Sequence, residues 1–210
     1  MTNTREPGDA RAQILSAAAR LMAAHGFDGT SLQDIADAVG VSKPAVLHHY
    51  PSKEHIRAAV LQSILEHWRE ALPRLLLAAS SGEGRFDAVF TELQRFFGES
   101  PDRARMLVRE GLDRPDEFRK LLRGTVRPWL GAVTEYVRTG NSLGRQHDDL
   151  DAEAYVIIAL QMVVFTNALG PVVSAAIDAG PEGRERYHRE VARIARSALF
   201  ARPPKAPSGQ

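Results

Sequence analysis

Cysteine is absent from the 210 residues of this chain. A disulfide framework, a thiolate zinc site, a cysteine nucleophile and thiol redox sensing are therefore excluded. An excess of charge of one sign is also missing: 27 Lys and Arg stand against 26 Asp and Glu, a formal net charge of +1. The segment up to His55 is not basic either, because Arg5, Arg11, Arg20, Lys43 and Lys53 are matched by Glu6, Asp9, Asp28, Asp34, Asp37 and Glu54. Any polyanionic partner must be held by locally placed groups rather than by a bulk positive field. No alternating pattern of strand length occurs, and there is no internal repeat. A glycine-rich phosphate loop, a Ser-His-Asp context and a cleft-facing carboxylate pair are all missing, which disfavours an enzyme. The N-terminal MTNTREPGDAR has no apolar run of the kind a secretion signal needs, which predicts a cytoplasmic chain.

One long uncharged stretch is present, Ala154 to Ile177. Its length would span a bilayer. Its flanks are acidic, however, and Gln161, Thr166, Asn167 and Pro171 interrupt it, so burial by a bundle or a partner subunit is the expectation rather than membrane insertion.

What is present is helical punctuation. Ala10 to His25 is alanine-rich, with Ile14, Leu15, Ala18, Leu21 and Met22 forming an apolar stripe. Gly26 ends it and Phe27 folds back as a plug. Ser31 is a good N-cap, with Asp34 placed to complete a capping box, and Leu32, Ile35, Ala36 and Val39 recur at helical spacing. Gly40 suits a left-handed turn. Ser42 caps the next helix and Pro44 falls in its first turn, where a missing N–H does no harm. Val46 and Tyr50 share an inward face, which leaves Lys43, Ala45, Leu47, His48 and His49 mostly outside. Two short helices joined by a glycine turn make a helix-turn-helix, the unit that places a helix in the DNA major groove.

Ile14 to Leu61 closely resembles the DNA-binding domain of TetR-family transcriptional repressors. The HGF turn, the T-S-L-x-D-I-A helix start, the G-V-S-K turn and the H-H-Y-P-S-K-E run carry the likeness in order and spacing. The resemblance implies an all-α fold: an N-terminal three-helix domain over 1–52, a helical regulatory and dimerisation domain over 53–201, and a proline-rich disordered tail over 202–210. Helices are expected at about 53–80, 85–99, 102–112, 116–139, 152–178 and 182–200, with Pro128 and Pro171 kinking or breaking two of them. Beyond Leu61 the likeness is one of layout alone.

Carried over position by position, the family's base-reading positions are Lys43, Pro44, Ala45 and His48, with Gln33 near a base edge or phosphate. Lys43 can donate to guanine, and Pro44 and Ala45 can touch a thymine methyl. Ser31, Ser42, His49, Tyr50 and Lys53 match phosphate-contacting positions. Leu47 departs from the pattern, since many relatives have tyrosine there, and keeps a van der Waals contact at most. His48 and His49 diverge by about 100° on a helix and do not suit one metal ion. No metal or cofactor is expected.

The expected partners are double-stranded DNA, a second copy of the chain and a small-molecule effector. Aromatic and polar residues interleave on the helices that would surround the effector: Trp68, Phe86, Phe90, Phe97, Met106, Arg109, Trp129, Val133, Tyr136, Gln161, Phe165 and Asn167. Glu110 and Asp113 read as a solvated face with Arg109 and Arg114. By the same resemblance, helices over 152–179 and 182–200 would build a four-helix dimer interface. Its stripes would be Leu160, Val164, Ala168 and Val172 on the first, and Val191, Ile194, Ala195 and Ala198 on the second. The resemblance implies a homodimeric repressor on a palindromic operator, released by its effector. The alternative is an all-helical binding protein that has lost DNA recognition, motivated by Leu47 and the near-neutral N-terminal domain.

Overall fold

A computed structural model of the chain describes residues 7–78, 82–142, 147, 149–173, 175–176 and 181–200. Among them the only regular structure is helical. The expected tail over 202–210 and the side chain of Trp129 lie outside what is described.

The N-terminal unit is α1 (Pro7–His25), α2 (Leu32–Val39) and α3 (Lys43–His49). Its core gathers the α1 stripe, with Ile14, Ala18 and Met22 fully buried, against Phe27, Ile35, Ala36, Val46 and Tyr50. This core does not end at residue 52. Ile56, Val60 and Leu61 of α4 (Lys53–Ala78) complete it, and Met106 of α6 (Pro101–Asp113) seals it from the far side.

The same α4 then enters a second core. Ile64 and Trp68 pack with Phe90, Phe96 and Phe97 of α5 (Gly82–Glu99), Ala104 of α6, and Val163, Val164 and Ala168 of α9 (Ala152–Ala168). Val191 and Ala195 of α11 (Pro181–Leu199) close it. A smaller cluster joins Val137, Ala152, Val156 and Leu199.

Two expected helices are broken. The one over 116–139 is α7 (Pro115–Leu121), a π-turn (Leu122–Val126) and α8 (Arg127–Ser142). Pro128 has no N–H and its ring would crowd the carbonyl of Gly124, so the preceding turn widens: Arg127 N–H reaches back five residues to Leu122. The helix over 152–178 stops at Ala168, and Pro171 sits in the first turn of the short α10 (Gly170–Val173). Pro73 lies inside α4, where the sequence reading did not single it out. No helix among the described residues is long and apolar enough to cross a membrane.

Candidate nucleic-acid interface and adjoining cavities

The α2–turn–α3 unit is fixed by short-range bonds. Ser31 Oγ accepts from Asp34 N–H at 3.1 Å, and Asp34 Oδ2 accepts from Ser31 N–H at 2.8 Å. These bonds hold the Asp34 carboxyl below its ordinary range. Gly40 turns at φ +73°, and its N–H closes the end of α2. Ser42 Oγ accepts from Ala45 N–H at 3.3 Å to start α3. With Val46 and Tyr50 buried, Lys43, Pro44, Leu47 and His48 stand in solvent on one surface, while Ala45 and His49 are half-buried. The two histidine rings meet edge-on at 5.4 Å. The described residues hold no cluster of three or more groups suited to a metal ion.

Several expected DNA-facing groups already have protein partners. Lys53 Nζ donates to the carbonyls of Phe27 and Thr30, both at 2.8 Å, and sits 4.2 Å from the Phe27 ring centroid. Two of its three N–H groups thus serve the loop between α1 and α2. Gln33 Nε2 donates to Asp37 along α2. The Tyr50 hydroxyl accepts from Arg11 Nε at 3.1 Å, which brings a guanidinium from α1 to the end of α3. No local pattern marks Arg11 for this pairing, since 39 residues separate it from Tyr50.

The junction with the rest of the chain is ionic. Arg57 of α4 pairs with Glu110 at 2.6 Å and with Glu117. Glu110 is 4% exposed, which corrects the expectation of a solvated face. Burial pushes its carboxyl up, and Arg57 opposes that shift. Arg109 donates to the carbonyls of Ala23 and Ala24 at 2.8 and 2.9 Å, capping the end of α1. Arg114 bonds Asp28 and stacks 4.1 Å from the centroid of Phe27. An open cleft of about 520 Å³ lies beside Arg57, Glu110 and Glu117.

A larger cavity of about 860 Å³ lies between α4, α6, the α7–π–α8 segment and α9. Trp68, Phe97, Gln161 and Phe165 line it. Trp68 also belongs, with Phe86, Phe90, Val133 and Tyr136, to a smaller cavity of about 100 Å³. Three expected pocket residues lie elsewhere. Met106 belongs to the N-terminal core, because α6 turns that side chain toward α1. Arg109 is spent on the α1 carbonyls. Asn167 is buried between α9 and α5, its Nδ2 donating to Val163 at 2.8 Å and its Oδ1 near Gly98.

The proposed dimer stripes also need correction. Leu160, Val164 and Ala168 turn into the second core, and only Val172 of that set is exposed. The outward face of α9 and its extension is instead Ile158, Phe165, Leu169 and Val172. On α11, Val191 and Ala195 point inward, and Ile194 and Ala198 outward.

Residues 14–60 match the model for bacterial regulatory proteins of the tetR family. Over 55 residues the chain is 49% identical to the HTH-type transcriptional regulator RutR of Escherichia coli K12, which is 26% of each chain. Over this N-terminal segment the chain is similar to the TetR family. Its match thus spans about a quarter of the length of the first curated relatives. EthR of Mycolicibacterium smegmatis, another HTH-type regulator, is 25% identical over 154 residues, covering 71% of this chain and 70% of that one. The likeness of fold extends further than that of sequence. The ketosteroid transcriptional regulator KstR2 of Mycobacterium tuberculosis superposes with a TM-score of 0.69 at 17% identity, covering 96% of this chain and 98% of that one. The fatty acid degradation regulator FadR of Bacillus halodurans gives 0.72 at 16%, covering 94% and 100%.

Proposed function

We propose that this protein is a ligand-responsive DNA-binding transcriptional regulator, not an enzyme. In this reading it is a cytoplasmic homodimeric repressor that binds a palindromic operator and is released by a small-molecule effector. The observation that carries the reading is the outward surface of α3. Val46 and Tyr50 anchor that helix, so Lys43, Pro44, Leu47 and His48 are presented together. The match of residues 14–60 to the tetR-family model and the regulator names of RutR and EthR support it.

Lys43 would read guanine, and Pro44 and Ala45 a thymine methyl. Ser31, Ser42, His49 and Tyr50 would meet phosphate, with the one remaining N–H of Lys53. The DNA-binding unit would extend through Leu61, since its core does. The outward face of α9 and α11 would pair with a second copy, because Ile158, Phe165, Leu169, Val172 and Ile194 are large apolar side chains left exposed there. An effector in the cavity would act only through unequal affinity for two subunit arrangements.

The test is selection of random duplex DNA on the purified protein at moderate salt. An enriched palindrome is expected, with retention falling at least tenfold in a Lys43→Ala, His48→Ala variant. Retention that ignores both substitutions would favour a helical binding protein without DNA recognition.

A further inference from the structure

We infer that the effector is an amphipathic organic anion, with an apolar body and a carboxylate-, sulfonate- or phosphate-type head. This rests on the ligand-responsive reading above and names the chemistry of that site.

The cavity has two unlike sides. Its α4 and α6 wall, including Leu61, Ile64, Trp68, Leu107 and Val108, is almost wholly carbon. The opposite side is α8, which contributes Arg127, Gly131, Thr134 and Arg138. Their spacing of i, i+4, i+7 and i+11 puts all four on one helical face. The π-turn ahead of Pro128 adds Arg123 to the same lip. Three guanidiniums therefore face the cavity against one carboxylate, that of Glu153 on α9. Arg123 and Arg127 have no ion-pair partner among the described residues, and Arg138 meets exposed Glu135 at 3.5 Å.

Thr134 supplies an independent sign. It is 5% exposed, lines the cavity, and its hydroxyl makes no hydrogen bond with the described residues. Beside it a Cβ placed on Gly131 would meet nothing within 4 Å, so there is room for a head group. Guanidinium forks match a carboxylate, sulfonate or phosphate in two parallel bonds, and a threonine hydroxyl can donate a third. A cationic head would meet three like charges, and a purely apolar ligand would leave Thr134 and the arginines unanswered.

A matched pair of fluorescent probes tests this on the full chain. 8-Anilino-1-naphthalenesulfonate and N-phenyl-1-naphthylamine share one apolar body and differ in the sulfonate. The sulfonate should bind at least tenfold more tightly, at one per subunit. The ratio of the two affinities should fall toward one in an Arg127→Gln, Arg138→Gln variant. Thr134→Val, which keeps the volume, should weaken the sulfonate severalfold and leave the neutral probe alone. Equal affinities in the wild type, no sulfonate binding, or a ratio that survives the double substitution would overturn the proposal. Retention of the selected DNA is measured in the same samples. Sulfonate binding with the expected ratio but no release of DNA would leave the ligand class standing and refute the release mechanism.

Discussion

Gly40 has a left-handed backbone, yet a methyl group there would touch nothing within 4 Å. Replacement by alanine therefore isolates the cost of the conformation from any clash. Gly40→Ala should lose about 1–2 kcal/mol in urea unfolding, with no change in the slope of the transition. Asp34 carries a pH prediction. Its folded pKa lies below the ordinary 3.8 because Ser31 hydrogen-bonds the ionised form. The unfolded chain then binds more protons, so the stabilisation is present above that ordinary value and is lost as pH falls through the folded one. Asp34→Asn should make the fall of melting temperature between about pH 5 and pH 2 shallower. At this scale the sequence was informative wherever the partner lay within four residues, as with Ser31 and Asp34 or Ser42 and Ala45. Arg109 and Glu110 find partners 86 and 53 residues away, and nothing in their neighbours' identities announces it.

Among the elements, α2, α3 and the turn between them were legible because caps and periodicity are local. The orientation of α9 was not. That helix is apolar on every side, so spacing marks several stripes equally, and the choice between core and outer face is made by what α5 and α6 present to it. Pro128 announced an interruption, and the widened turn ahead of it is how the backbone accommodates the missing N–H. The junction between α4 and α6 gives a third prediction. Glu110→Leu should cost on the order of 3 kcal/mol, because Arg57 stays in place with one of its two carboxylates gone. Glu110→Gln, which can still accept a hydrogen bond, should lose less. Chemical denaturation of the two variants side by side checks the order.

For the whole molecule, the exposed face of α9 sets the assembly prediction. Ile158→Glu with Phe165→Glu should convert a dimer to a monomer in sedimentation velocity at micromolar concentration, with helical content unchanged. Wild-type protein that sediments as a monomer under those conditions would remove the basis for a palindromic site. The way α4 is shared has its own consequence. Ile56, Val60 and Leu61 belong to one core, and Ile64 and Trp68 to the next, with no break in the helix between them. Neither core can open without fraying the backbone that supports the other. Amide protons from Val60 to Trp68 should accordingly be among the last to exchange with deuterated water, released only by global opening. Heating should give a single calorimetric peak, so the N-terminal unit and the helical remainder would lose their structure as one.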